Sequence, residues 1–141
     1  MRVLVTGASG FIGTALCKAL LKRSDQVVAW VHSSEPRVPG IERVDLLEQI
    51  EGPIDAVVNL AGTPIADARW SESRKQLLLS SRLETTAALV SWMAQQAENP
   101  STLISGSAIG FYGYQHILNF VLIDNLIHVR KLPNYILWIY T

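Results

Sequence analysis

Cysteine is scarce in this sequence, with Cys17 as its one representative among 141 residues. A single cysteine excludes an intrachain disulfide and any metal cluster built from cysteine ligands. An unpaired thiol also suits a reducing compartment. We therefore expect a cytoplasmic protein, and no residue is assigned as a metal ligand.

The sequence also lacks an excess of charge and a long apolar run. Its 12 basic residues balance its 12 acidic residues, so no overall field draws in nucleic acid or an anionic membrane. The apolar-rich stretches Tyr114 to Ile123 and Leu132 to Thr141 are shorter than the about 20 residues that a spanning helix needs. No apolar core of a signal peptide precedes the glycine at position 7. The expected partner is a small molecule, not nucleic acid or a membrane.

Apolar residues make up 49% of the sequence and charged residues 17%, which is typical of a globular protein with a large core. Short apolar runs predict five strands: Arg2 to Val5, Gln26 to Val31, Ile41 to Val44, Ile54 to Leu60 and Thr102 to Ser105. The runs are continuous and do not alternate with polar residues, so both faces of the sheet should be covered. This pattern predicts the α/β class, as a Rossmann-type doubly wound parallel sheet.

Helical spacing of apolar residues appears between these strands. A first helix is predicted from the spacing of Ile12, Ala15, Leu16, Ala19 and Leu20. A second, long helix should open at Trp70 and Ser71, with Ser71 as N-cap, and should end at Asn99-Pro100. Its buried face is predicted from six residues: Leu79, Leu83, Thr86, Val90, Met93 and Ala97.

The most informative motif is the glycine-rich turn that joins the first strand to the first helix. It reads Thr6-Gly7-Ala8-Ser9-Gly10-Phe11-Ile12-Gly13, with glycines three residues apart. Glycines in this position allow a tight turn, close approach of the backbone to a diphosphate and close packing of helix on strand. Backbone amides at the N-terminus of the helix would then face the anion. The turn predicts a site for the diphosphate of NAD or NADP.

The same turn resembles the cofactor loop of the extended short-chain dehydrogenases, a group that includes sugar-nucleotide epimerases and dehydratases. Three further segments are similar to motifs of that family: Asp45-Leu46, Asn59-Leu60-Ala61-Gly62, and Ser105-Gly106-Ser107-Ala108 through Tyr112-Gly113. The stretch from Gly62 to Arg82 narrows the resemblance to an atypical branch described only as epimerase-family proteins, through Pro64-Ile65, Arg69-Trp70, Arg74-Lys75-Gln76 and Ser81-Arg82. The resemblance covers residues 1–113 and then stops.

This resemblance implies roles for particular residues. Ser107 matches the catalytic serine of the family, whose hydroxyl would bind the substrate carbonyl or alcohol. Ser81 stands where many members have an asparagine that organises active-site water, and Arg82 is interpreted as a solvated helix residue, with an anion contact as the alternative. Asp45 and Asn59 also have structural interpretations, as a helix cap and as a bridge between strands. The implied cofactor-binding residues are Thr6, Gly7, Ser9, Gly10, Phe11, Ile12, Gly13, His32, Asp45, Leu46, Leu60, Ala61, Gly62, Ser81 and Ser105.

The tip of the second strand bears on the choice of cofactor. An acidic residue there would accept the ribose hydroxyls of NAD and repel the extra phosphate of NADP. The segment from Trp30 to Ser33 contains no acid, and Glu35 comes later, beside Arg37, which could pair with it or reach a phosphate. This arrangement favours NADP over NAD. His32 is either a contact to the cofactor or a surface residue without a role.

The chain lacks the tyrosine and lysine that normally carry hydride chemistry in this superfamily. Tyr135 lies at a comparable distance after Ser107, but Ile139 occupies the position of the lysine. We expect a truncated NAD(P)-binding domain over residues 1–113, with oxidoreductase or epimerase character by resemblance and without catalytic competence. The family chemistry is hydride transfer on a carbonyl or alcohol, with a sugar nucleotide as one substrate class. The alternative is a non-catalytic protein that binds a dinucleotide or a partner.

Residues 114–141 are predicted to form a divergent apolar tail unlike the family. One hypothesis is that the reading frame changes near Gly113 and that the tail is unselected sequence. A second is that Tyr135 to Tyr140 adds a strand beside the fifth strand and covers its edge. A third is that the tail binds a protein partner.

Overall fold

A computed structural model describes residues 1–32, 34–64, 69, 71–107 and 136–140, with Ser107 and residues 136–140 described by their backbone alone. Six parallel strands form one sheet in the order β3-β2-β1-β4-β5-β6. The strands are β1 (Arg2–Thr6), β2 (Gln26–Trp30), β3 (Glu42–Val44), β4 (Ala56–Asn59), β5 (Thr102–Ser107) and β6 (Ile136–Tyr140). The helices are α1 (Phe11–Lys22), a 3₁₀ turn (Leu47–Gln49) and α2 (Glu72–Ala94). The predicted Rossmann-type doubly wound sheet is confirmed.

The direction of strand order reverses between β1 and β4. Both neighbours of β1 are parallel to it, with Thr6 beside Trp30 on one side and beside Asn59 on the other. In sheets of this kind ligands bind outside the carboxyl ends of the strands at the point of reversal. Thr6 and Asn59 end their strands at this point, which places the loops that follow them around one crevice.

Two separate apolar layers cover the two faces of the sheet. Successive residues of a strand point to opposite faces, so Val3 and Val5 pack with α1 whereas Leu4 packs with α2. The layer under α2 also contains Val57 and Leu103 from the neighbouring strands. Burial of both faces explains why the strand sequences are continuously apolar.

The residues whose spacing predicts α1 do not all lie on its buried face. Gly13, Cys17 and Leu20 are buried, whereas Ile12, Ala15 and Ala19 are exposed and Leu16 is half-buried. A Cβ atom at Gly13 would lie 2.1 Å from the carbonyl oxygen of Gly7, so this glycine must face the turn. That contact sets the rotation of the helix about its axis. The same rotation buries Cys17, and this burial raises the pKa of its thiol.

The predicted buried face of α2 is confirmed at Val90 and Met93 and is wrong at both ends. Leu79 and Leu83 are 51% and 52% exposed, and Ala97 lies beyond the end of the helix and is exposed. The buried residues are Leu78, Leu89, Val90, Trp92 and Met93, so that four of the five lie in the last six residues of the helix. The helix therefore packs on the sheet mainly through its C-terminal part.

The two ends of α2 also test the predicted boundaries. Ser71 is the N-cap, with its side chain accepting a hydrogen bond from the amide of Arg74 at 3.1 Å, as predicted. Trp70 lies outside the described residues. The helix ends at Ala94, before Asn99-Pro100, and the amides of Gln95 and Gln96 close a last turn on Trp92 and Met93. The proline therefore follows the helix and does not end it.

The strand hypothesis for the tail is confirmed for residues 136–140. β6 pairs in parallel with β5, with Leu103 beside Ile136 and Ser107 beside Tyr140. The strand therefore lies at the edge of the sheet and covers the outer edge of β5. Among the helices that the structure describes, none combines the length and the hydropathy of a membrane-spanning segment.

The start of β1 is fixed by ionic contacts at the amino ends of the strands, opposite the crevice. The N-terminal ammonium of Met1 lies 3.0 Å from Asp25, and Arg23 lies 2.9 Å from the other oxygen of the same carboxylate. The hydrogen bond from the ammonium, together with the charge of Arg23, lowers the pKa of Asp25.

Candidate dinucleotide site

The glycine-rich turn lies at the reversal of strand order, and two of its glycines are required by backbone contacts. Gly7 has a φ of +68°, and a Cβ atom there would lie 2.7 Å from the carbonyl carbon of Leu60. Gly13 meets the carbonyl oxygen of Gly7, as described above. Both positions therefore exclude a side chain for reasons internal to the fold.

Gly10 differs from the other two glycines. The nearest atom to a Cβ there is the carbonyl oxygen of Gly7 at 3.3 Å, and the residue is exposed. Its amide donates to the same oxygen at 3.0 Å, which closes the turn. Apart from this one tight contact, no atom of another part of the described fold lies within 4 Å of that Cβ, so the space beside Gly10 is largely open.

The N-terminus of α1 is left open to solvent. Gly10 is the N-cap, it provides no side-chain hydrogen bond, and the first turn contains no acidic residue. Phe11 is 95% exposed and Ile12 is 44% exposed, so the apolar start of the helix is not buried in the fold. Amides at such a helix end carry partial positive charge and favour an anion.

The loop after β4 forms the opposite wall of the crevice and is held by Thr6. The hydroxyl of Thr6 accepts hydrogen bonds from the amides of Leu60 and Ala61, at 3.1 Å and 3.0 Å, and donates to Asn59 at 2.7 Å. Thr6 is 1% exposed, so its side chain is fully used inside the fold. The Thr6 side chain positions the loop after β4, and only the backbone of Thr6 borders the glycine-rich turn.

Asn59 continues this buried network toward β5 and α2. Its side-chain amide donates to Ser105 at 3.3 Å and to Thr86 at 3.0 Å, and Thr86 donates to the carbonyl of Arg82 at 2.7 Å. The interpretation of Asn59 as a bridge between strands is confirmed. Ser105 is 4% exposed within the network.

Thr86 was counted in the sequence as part of an apolar helix face. Its role in the network is one that the sequence reasoning missed. The available signal was a threonine in a stripe whose other members are apolar, since a hydroxyl on a buried face needs a partner.

Three residues of α2 hold the end of the same loop. Ser81 accepts a hydrogen bond from the amide of Thr63 at 3.2 Å, and Arg82 donates to the carbonyl of Thr63 at 3.3 Å. Arg74 donates to the carbonyl of Pro64. The loop from residue 60 to 64 is therefore fixed by β1 on one side and by α2 on the other.

The tip of β2 carries the residues predicted to meet the adenosine end of a cofactor. The indole of Trp30 donates to the carbonyl of Asp45 at 3.1 Å, and this contact links β2 to the segment after β3. His32, Asp45 and Leu46 are exposed there. The side chain of Gln49 accepts from the amides of Asp45 and Leu46, and no cap from the Asp45 carboxylate is present at this 3₁₀ turn. The cap interpretation of Asp45 is wrong.

Glu35 has a partner other than the one considered in the sequence. It forms an ion pair with Arg43 of β3, and Arg37 does not take part in the ion pairs of the described residues. The carboxylate of Glu35 is therefore neutralised, whereas the exposed guanidinium of Arg37 faces solvent.

The structure brings most of the predicted cofactor-binding residues to one crevice, in three groups. The turn supplies Gly7, Ser9, Gly10, Phe11, Ile12 and Gly13; the β4 loop supplies Leu60, Ala61 and Gly62; the tip of β2 supplies His32, near Asp45 and Leu46. Ser107 ends β5 beside Tyr140, and its side chain lies outside the described residues, as does Tyr135. Ser9 is exposed.

The fold is of the Rossmann type, and the crevice lies where proteins of this type bind their ligands. Comparison with known proteins identifies the family of the chain. Residues 3–125 match the model of the NAD dependent epimerase/dehydratase family, so the match extends past Gly113. The chain belongs to this family, and it is homologous to the NAD(P)-binding part of epimerases.

Individual relatives agree with this family. The chain is 38% identical over 117 residues to the epimerase family protein SDR39U1 of Bos taurus, and this covers 79% of the chain and 38% of the relative. It is 34% identical over 120 residues to the epimerase family protein YfhF of Bacillus subtilis, covering 80% and 39%. The crystal structure of the human epimerase family protein SDR39U1 (isoform2) with NADPH is similar with a TM-score of 0.66 and 36% identity, covering 79% and 38%. The chain thus spans about two fifths of the length of these relatives.

Proposed function

We propose that the chain binds NADP or NAD in the crevice between the glycine-rich turn and the β4 loop. The observation that carries the proposal is the contrast among the three glycines. Gly7 and Gly13 are required by the fold, whereas Gly10 leaves space on the crevice side at an open helix N-terminus. This is the arrangement that lets a diphosphate approach the backbone amides of a helix.

The remaining contacts follow from the position of each group. The turn from Gly7 to Gly13 would hold the diphosphate, and the backbone of Leu60 to Gly62 would lie along the adenosine ribose. His32, Asp45 and Leu46 would contact the adenosine end. Ser81 and Ser105 would act through the loop and the buried network, because their hydroxyls already have partners in the fold.

We further propose that NADP is the preferred cofactor. Glu35, the acid nearest to the tip of β2 in the sequence, is paired with Arg43, so its charge repels an added phosphate less. Arg37 is exposed and has no ion pair among the described residues. The human relative at 36% identity was crystallised with NADPH, which supports the same preference.

The chemistry of the family would be hydride transfer on a carbonyl or alcohol, with a sugar nucleotide as one substrate class. A bound nicotinamide would supply the hydride, and Ser107 would hydrogen-bond the reacting oxygen. Since Ile139 stands where a lysine would follow Tyr135, we propose that residues 1–141 bind the dinucleotide without turnover. The alternative is a protein whose function is binding alone, with the apolar tail that follows Gly113 contacting a partner.

A fluorescence titration of the chain with NADPH and NADH tests the proposal. We expect saturable binding, tighter for NADPH, and a loss of affinity of at least about tenfold in Gly10→Asp because a carboxylate would occupy the diphosphate position. The matched control is Gly52→Asp, the same change at a glycine with φ of +79°. Gly52 lies near Arg2, at the amino ends of the strands and away from the crevice.

The control separates charge from position. Equal binding by both variants would contradict the assignment of the diphosphate to the turn, and no binding by the folded wild-type chain would refute the proposed function. Circular dichroism of all three proteins establishes that each is folded.

A further inference from the structure

Arg82 is a half-buried cation on the crevice side of α2. Its guanidinium lies against Gly62, where a Cβ atom would be 3.0 Å from Cζ and 3.2 Å from both Nε and Nη1. This excludes the interpretation of Arg82 as a solvated helix residue. It lies at the end of the loop that walls the proposed dinucleotide site.

Arg82 uses a small part of its hydrogen-bonding capacity within the described fold. Nη1 donates to the carbonyls of Leu78 at 3.0 Å and Thr63 at 3.3 Å, and both acceptors are neutral. A guanidinium has five N–H donors, so the two contacts orient the group and leave its other edge available.

Arg82 also lacks a counterion in the part of the chain that is described. Four other cations, Arg2, Arg23, Arg43 and Lys75, each form an ion pair with a carboxylate, whereas Arg82, although half-buried, does not. A partly desolvated charge without an opposite charge is unfavourable, and a bound anion removes this cost. An oriented guanidinium fits the two oxygens of a carboxylate or a phosphate.

From these contacts we infer that Arg82 is an oxyanion-binding residue of the crevice. The inference rests on the proposed function for the identity of the crevice. The oxyanion is either a phosphate group of the dinucleotide or an anionic group of the substrate bound beside it. In both cases Arg82 would bind the anion while Nη1 keeps the β4 loop in place.

The test measures binding of inorganic phosphate by equilibrium dialysis and of NADPH by fluorescence, in wild type, Arg82→Met and Arg82→Lys. Loss of a charged hydrogen-bonding partner should lower the affinity for the affected ligand by about tenfold to a hundredfold in Arg82→Met and by less in Arg82→Lys. Lys22→Met is the control, since it removes one positive charge from the last turn of α1, away from the crevice. Thermal unfolding checks that each variant is folded.

The two sources of the anion give different results. If the anion belongs to the cofactor, Arg82→Met weakens NADPH binding and reduces the dependence of the NADPH Kd on salt. Phosphate then competes with NADPH in the wild type. If the anion belongs to the substrate, NADPH binds unchanged, and phosphate binds the NADPH-saturated wild type and not Arg82→Met. Equal binding of both ligands by wild type and Arg82→Met would overturn the inference.

The phosphate measurement is independent of the proposed function. Phosphate binding that survives in Gly10→Asp and is lost in Arg82→Met assigns the anion to Arg82 even when no dinucleotide binds. Weaker NADPH binding with unchanged salt dependence, and unchanged phosphate binding, would show that Arg82 acts on the loop alone and would contradict the inference.

Discussion

At the scale of single residues, the side chain of Thr6 holds the wall of the crevice that faces the glycine-rich turn. One hydroxyl holds the amides of Leu60 and Ala61 and the carbonyl oxygen of the Asn59 side chain, in a position that is 1% exposed. A hydroxyl can donate one hydrogen bond and accept two, so Thr6 is saturated. The side chain therefore joins β1, β4 and the loop that faces the glycine-rich turn.

Replacing Thr6 by Val is expected to destabilise the fold and weaken dinucleotide binding. The change removes this partner from the buried side chain of Asn59 and from the part-buried amides of Leu60 and Ala61, although the Leu60 amide keeps a hydrogen bond to the Thr6 carbonyl at 3.3 Å. A buried polar group left unpaired costs about 1–3 kcal/mol. We expect the free energy of unfolding to fall by about 2 kcal/mol or more in urea denaturation. Thr102→Val is the control, because that hydroxyl approaches Ser101 alone, at 3.5 Å in an exposed position. Equal losses in both variants would show that the Thr6 network is not the cause.

At the scale of elements, α2 has two parts with different environments. The C-terminal part carries Leu89 and Met93, both 0% exposed, and packs on the sheet. The N-terminal part holds the β4 loop through Arg74, Ser81 and Arg82, while Leu79 and Leu83 remain about half exposed. One part of the helix therefore supports the core, and the other supports the candidate site.

Two leucines of α2 make a matched test of this division. Leu89→Ala should lower the free energy of unfolding by about 2–5 kcal/mol, because it opens a cavity in the layer beneath the helix. Leu83→Ala should cost less than about 1 kcal/mol, since Leu83 is 52% exposed and alanine is a better helix former. Denaturant unfolding of both variants gives the comparison. A loss at Leu83 as large as that at Leu89 would mean that Leu83 is buried in solution.

At the scale of the whole molecule, the sheet order places every part of the candidate site at the carboxyl ends of the strands. The order β3-β2-β1-β4-β5-β6 puts the ends of β1 and β4 side by side, with the tips of β2 and β5 on either side of them. β6 extends the sheet beyond β5 and makes Ile136–Tyr140 the edge strand on that side. The tail segment is thus part of the sheet over these residues.

Hydrogen exchange tests this extension of the sheet. In a parallel edge strand, alternate amides face the neighbouring strand, so every second amide of Ile136–Tyr140 should exchange slowly and the others rapidly. The amides of Glu35 and Arg37, on either side of Pro36, serve as the rapid reference and those of β1 as the slow one. Exchange of all the amides from 136 to 140 at the rate of the rapid reference would contradict the pairing.

Much of this fold could be predicted from local sequence. The positions of β1 to β5, the N-cap at Ser71 and the glycine-rich turn each depend on a few consecutive residues, and all three are present in the structure. The buried side of α1 could not be predicted from its apolar residues, because hydrophobicity favours Ile12 and Leu16, whereas the contact of Gly13 with the Gly7 carbonyl decides which side faces the sheet.

The sequence by itself determined the fold class and the position of the glycine-rich turn between β1 and α1, because strand composition and the spacing of glycines are local properties that backbone sterics and burial convert directly into structure. Only the tertiary structure decided the partners of Thr6, Asn59, Glu35 and Arg82. Three of these four contact a residue more than 15 positions away, and Glu35 contacts Arg43 across a loop. Such pairs are set by the packing of separate elements, which no spacing along the chain specifies.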